Sequence, residues 1–148
     1  MNSVDTLTLL NRLIVTSKNG ESTLEAAAQE AHHEELKHSL HDYAQFFHQA
    51  AEELQAAARR LGGDPPTRAT FDNALHRTVL HLRALAYGRD EKTILDEAEV
   101  EESLADELYA DVENWDLPQD VRAMVMRQAE MARRHHDEVH ALRDRLLH

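Results

Sequence analysis

Residues 30–48, "EAHHEELKHSLHDYAQFFH", hold five imidazoles, His32, His33, His38, His41 and His48, among acidic side chains. Imidazole and carboxylate together suit iron, manganese and zinc alike. Imidazole is also the group that titrates between about pH 5 and 8. The stretch therefore reads as a metal site, as a pH sensor or as a solvated helix face. Rotational position separates the three. If Leu36, Leu40, Tyr43, Phe47 and Leu54 form the apolar stripe of a helix, His38 falls on the opposite side, with His41 and His48 about 120–140° away. This trio is expected to face water or a neighbouring subunit, where its three- and seven-residue spacings would also suit a surface metal clamp.

The same projection finds ionisable residues on apolar faces elsewhere. Glu21 lies within about 60° of a stripe through Leu10, Leu13, Ser17, Leu24, Ala28 and Ala31. Glu101 falls within the stripe Ile94, Ala98, Ala105, Leu108 and Val112, with Glu97 at its edge. Gln128 and His135 share a face with Val121, Val125, Ala132, Val139, Leu142 and Leu146, and His136 lies beside it. Buried charge is costly unless it is paired or bound to metal. Antiparallel pairing around a turn at 115–117 sets Glu97 opposite His135 and His136, with Glu101 one turn further along. Glu21, Glu97, Glu101, His135 and His136, together with His48, are thus the candidate ligands for iron, manganese or zinc. A buried Glu–His hydrogen-bonded network that fixes helix register explains the same residues without a metal, as does a rim position just outside the core. His136 and His140, one helical turn apart, make a two-ligand clamp of the kind zinc uses.

These residues need helices to position them, and the breakers and caps supply five. "LGGDPP" (61–66) stops one helix with a glycine signal and two prolines. In "YGRD" Gly88 ends a helix and Asp90 caps the next, and in "DLPQD" Asp116 caps a helix with Pro118 in its first turn. A single rod from 3 to 61 would be about 85 Å long, too long for a compact domain of this size. The apolar stripe jumps by about 100° between residues 31 and 36, which places a turn at 32–34. The expected elements are helices 3–31, 34–61, 70–87, 91–114 and 117–147. Two antiparallel hairpins joined by one long crossover, here carrying an extra helix, is the ferritin-like arrangement of a four-helix bundle. One all-α domain over 1–148 is expected.

Composition agrees and excludes much. The 148 residues include three prolines, four glycines and no cysteine, so disulfides, thiolate catalysis and Cys-ligated metals are out. A formal net charge of −12 repels phosphate backbones and argues against a nucleic-acid partner. No apolar run approaches the roughly 20 residues needed to span a bilayer, and the opening "MNSVDTLTLL" does not read as a signal peptide. A soluble cytoplasmic protein without a membrane partner, forming a homodimer, is expected. No Gly-rich phosphate loop or nucleophile elbow is present.

Four stretches carry a family resemblance: "LNRLIVTSKNGESTLEAAAQEA", "AEELQAAARRLGGDP", "ALHRTVLHLRALAYGRDEKTILDEAEVEES" and "HHDEVHALRDRL". Their strongest marks are Asn19-Gly20-Glu21, the Leu61-Gly62-Gly63-Asp64-Pro65 turn, the glutamates around 97–102 and the closing His136-Asp137 and Leu142-Arg143-Asp144. Over nearly its whole length the chain resembles a bacterial family of ferritin-like four-helix proteins, domain of unknown function 2383. The resemblance implies a ferritin-like fold and no established activity. Ferritin-like di-iron centres take one Glu from each of two helices and a Glu-x-x-His from each of the other two. Glu21 and either Glu101 or Glu102 match the two single acids. Ala132 and Arg133 stand where the last helix should supply its Glu, and the second helix offers only Gln45-x-x-His48. A partial or mononuclear site is what the resemblance implies. Three functions follow: metal handling through that site, a non-catalytic bundle that dimerises or docks a partner, in a stress response as the resemblance suggests, or a pH-responsive assembly.

Overall fold

A computed structural model of the chain describes residues 3–66 and 91–147, apart from the side chains of Ser3, Val4, Glu91, Glu97, Glu101 and Leu147. Four α-helices lie within these residues: α1 (Ser3–Glu30), α2 (Glu34–Arg60), α3 (Glu91–Asp111) and α4 (Gln119–Leu147), with a 3-10 turn at Val112–Asn114 after α3. The boundaries fall within two or three residues of those expected from caps and breakers. The expected helix at 70–87 lies outside the described residues.

The three-residue link 31–33 folds α1 back onto α2, where the phase jump places it. At the far end of α2 the chain turns through Gly62, whose φ of +87° is the left-handed conformation that glycine adopts without penalty. The Gly63 N–H donates to Ala58 O at 2.9 Å and the Gly62 N–H to Arg59 O at 3.0 Å, closing the last carbonyls of the helix in a Schellman cap.

Burial follows a heptad in every helix. The buried seam runs Leu10, Leu13, Ser17, Gly20, Leu24 and Ala27 in α1, with Ala31 just past its end, and Leu36, Leu40, Tyr43, Phe47, Ala50, Leu54 and Ala57 in α2. It continues as Leu95, Ala98, Glu102, Ala105, Tyr109 and Val112 in α3 and its 3-10 extension, and as Val121, Val125, Gln128, Ala132, Val139 and Leu142 in α4, where half-buried His135 fills the one gap. Alternating steps of three and four residues are the pattern of knobs-into-holes packing between helices about 20° from antiparallel.

Around the bundle, α1 contacts α2 and α3, and α4 contacts the same two. Cross-helix pairs give the directions. Arg145–Glu35, Ser39–Glu138 and Arg127–Glu53 make α2 and α4 antiparallel. Arg143–Asp96, His140–Glu99 and Tyr109–Gln128 do the same for α3 and α4. The diagonal helices α2 and α3 therefore run parallel, so the chain leaves α2 at one pole and enters α3 at the other.

The α3–α4 register differs from the sequence expectation. The residues facing His136 are Glu102 and Asp106, nearly two turns later in α3 than a tight turn at 115–117 predicts. The cause is the connection. Residues 112–118 run on past α3 alongside the first turns of α4, where Arg122 donates to Trp115 O at 2.9 Å and to Glu113 O at 3.4 Å.

Candidate functional site

Two layers of the core are polar. In one, the Tyr109 hydroxyl donates to Gln128 Oε1 at 3.1 Å, and Gln128 Nε2 donates to Glu53 Oε1 at 3.3 Å and reaches Ala50 O at 3.5 Å. This layer ties α2, α3 and α4, with Tyr109, Gln128 and Glu53 each partnered, as burial demands. Burial pushes the Tyr109 phenol well above its ordinary pKa, so it remains a donor.

The other layer contains Tyr43, Glu102 and His135, with His136 at its α3–α4 edge. Glu102 is 1% exposed, and neither of its carboxyl oxygens has a hydrogen-bond partner. Burial, with Glu99 and Asp106 adding to it and Arg143 opposing, raises its pKa to about 8. At neutral pH this carboxyl holds its proton. Tyr43, fully buried, also has a hydroxyl without a partner, and burial beside Glu102 and Asp106 keeps it un-ionised.

His136 connects this interior to the surface. Its Nδ1 lies 2.6 Å from Asp106 Oδ2 and its Nε2 lies 3.6 Å from Glu102 Oε2. An Asp106 carboxylate needs a proton-bearing nitrogen at that distance, and Nε2, on the other edge of the ring, faces the protonated Glu102. One ring thus stands between a buried acid and a carboxylate at the rim. A turn away, His140 Nδ1 is 3.7 Å from Glu99, and Arg143 pairs with Asp96 and, at 2.8 Å, with Glu99.

The remaining candidates are placed as follows. His135 stacks on Tyr43 with ring centroids 5.3 Å apart and planes at 15°, and it tilts against Phe46 at 5.4 Å. Burial lowers its pKa against the pull of Glu138 and Asp42, so it serves as an aromatic of the core. Glu21 and His48 meet, but at the α1–α2 seam on the opposite side of the bundle from His136. His48 Nδ1 is 3.1 Å from Glu21 Oε2, its Nε2 is 3.1 Å from Glu52, and Lys18 takes the other Glu21 oxygen at 3.2 Å. His41 spans the same seam to Glu25 at 3.0 Å, and His38 is exposed beside Asp42. The side chains of Glu97 and Glu101 lie outside the described residues.

Among the described side chains the candidate ligands do not converge as a metal requires. His136 Nδ1 is engaged by Asp106 at 2.6 Å, and Glu102 lies 3.6 Å from Nε2 on the opposite edge of the ring, whereas ligands must converge on one point. Both oxygens of Glu21 are already engaged, one by His48 across the α1–α2 seam and the other by Lys18 on its own helix. Among the described residues no three His, Asp or Glu side chains are grouped so as to hold a metal ion.

The other marked feature is on the surface between α1 and α3. A groove of about 630 Å³ runs between Thr8, Asn11, Arg12, Val15 and Asn19 on one side and Leu104, Glu107, Leu108 and Asp111 on the other. Leu104 is 51% exposed and Val100, one turn along α3, is 49% exposed. Large apolar side chains at such exposure on two successive turns mark an interaction surface more than a solvated one. The Oδ1 atoms of Asn11 and Asn19 are shielded from water and have no donor. Arg12, Glu107 and Asp111 make no ion pair among the described residues. Sequence reading missed this groove because Val100 and Leu104 lie off the stripe used for the core, and a lone exposed Leu carries no signal by itself.

The family model described as "Domain of unknown function (DUF2383)" matches residues 5–114, which cover α1, α2, α3 and the 3-10 turn and stop before α4. No curated protein matches the chain. No helix among the described residues is long and apolar enough to cross a membrane.

Proposed function

We propose that this chain, which belongs to the family of domain of unknown function DUF2383, is a non-catalytic ferritin-like bundle that works by docking, either as a homodimer or on a partner, in the cytoplasm. Ferritin-like descent is supported by the parallel diagonal pair α2 and α3, which requires the single long crossover of that topology. The docking reading rests on the α1–α3 face, with its two exposed apolar side chains and with Arg12, Glu107 and Asp111 in no ion pair among the described residues. On this reading the Glu102–His136–Asp106 set fixes register and holds no cofactor.

One observation favours a second reading, in which the bundle handles iron, manganese or zinc: neither oxygen of the buried Glu102 carboxyl has a hydrogen-bond partner, and an imidazole stands beside it. Metal analysis of untagged protein distinguishes the two. Docking predicts no stoichiometric metal and a melting temperature unmoved by added iron, manganese or zinc. About one metal per chain, lost in Glu102→Gln or His136→Ala, would replace the docking reading with the metal one.

A further inference from the structure

We infer that the partner on the α1–α3 face is a second copy of the same chain, seated groove to groove about a two-fold axis so that α1 of each protomer faces α3 of the other. The inference rests on the docking reading and adds the occupant. A two-fold contact uses one patch twice, so that patch must carry both halves of each interaction. The α1–α3 face does. Its α1 side presents Arg12 without an ion pair, and its α3 side presents Glu107 and Asp111 in the same condition among the described residues. The two signs lie on opposite walls of one groove without pairing across it, so each is available to the opposite wall of a facing copy. The apolar parts are complementary in the same sense. Leu104 and Val100 project from α3, and half-buried Val15 lines the groove beside them. Antiparallel α1 and α3 are compatible with an axis along the bundle, which preserves each helix direction and sets α1 against the partner's oppositely running α3 at the same height. The general acidity of the chain opposes self-association over long range, but at about 0.15 M salt charges more than about 8 Å apart are largely screened, whereas contact pairs are not.

Sedimentation velocity on the full chain at about 0.15 M salt tests this. Wild type is expected to sediment as a dimer. Leu104→Glu and Arg12→Glu should each weaken the dimer by at least about 30-fold, the loss typical of a central contact, with unchanged circular dichroism. Arg12→Glu combined with Glu107→Arg restores opposite signs and should recover most of the loss. Met126→Glu, an exposed position on α4, should leave the dimer unchanged. A monomeric wild type, or a dimer indifferent to Leu104→Glu and Arg12→Glu, overturns the inference. Neither result touches the metal measurement, on which the docking reading itself stands or falls. A monomer that also lacks metal leaves a different macromolecule as the occupant of the face and refutes the second copy.

Discussion

Glu102 sets how the interior responds to pH. Its ordinary carboxyl value of 4.5 applies in the unfolded chain, and in the fold the value is about 8. The unfolded state therefore releases the proton first. The contribution of this group is fully present below about pH 4.5 and declines as pH rises toward 8, by at most about 1.4 kcal/mol per pH unit. Glu102→Gln keeps the shape and removes the titration. Chemical denaturation should show the variant gaining on wild type progressively between pH 5 and 8, and parallel profiles would refute the buried-acid picture. His135 acts in the opposite direction. Its lowered folded pKa means that stability is intact above its ordinary value of 6.5 and is lost as pH falls below it. His135→Phe keeps the stack on Tyr43 and should be more stable than wild type near pH 5, with the difference shrinking by pH 7.5.

At the level of the helix pair, the approach of α1 to α2 depends on one missing side chain. A Cβ added at Gly20 would lie 2.8 Å from the ring of Phe47, itself fully buried. Alanine is the better helix former by about 1 kcal/mol, but overpacking a filled core costs about 1–3 kcal/mol. Gly20→Ala should thus lower stability by about 1 kcal/mol, read from the midpoint of urea unfolding at unchanged slope. A neutral or stabilising result would mean that the Phe47 ring has room to move. Four helices and the α1–α2 hairpin were legible in the sequence because each is local: the "LGGDPP" stop and the phase jump at 31–36 recur in the fold, whereas the Gly88 and Asp90 signals lie outside the described residues. The candidate site was less so, for two physical reasons. A projection at 100° per residue drifts by about 20° per heptad against a 3.5-residue seam. Over the length of α3 that blurs which glutamate turns inward, whereas the spacing Leu95, Ala98, Glu102, Ala105, Tyr109 picks out Glu102. Helix register across a hairpin is also not a local property. It depends on how residues 112–118 lie along α4, which moved the partners of His136 from Glu97 to Glu102 and Asp106.

For the molecule as a whole, charge and shape carry the consequences. Eleven histidines offset a formal charge of −12, so acidification to about pH 5.5 brings the chain toward neutrality, where colloidal repulsion weakens. Light scattering should report rising association as pH falls from 7.5 to 5.5, reversed by returning the pH. Scattering that stays constant across this range would remove pH-responsive assembly from consideration. Shape matters for a different reason. Leu7, near the start of α1, lies against Gly63, just past the end of α2, whereas Arg145 at the far end of α4 reaches Glu35 at the beginning of α2. Ser3 and Leu147 therefore sit at opposite poles, separated by about the 40 Å length of a 28-residue helix. Joining them in a permuted gene would take a linker of at least about 12 extended residues, whereas successive copies fused tail to head would stack pole on pole as a straight rod.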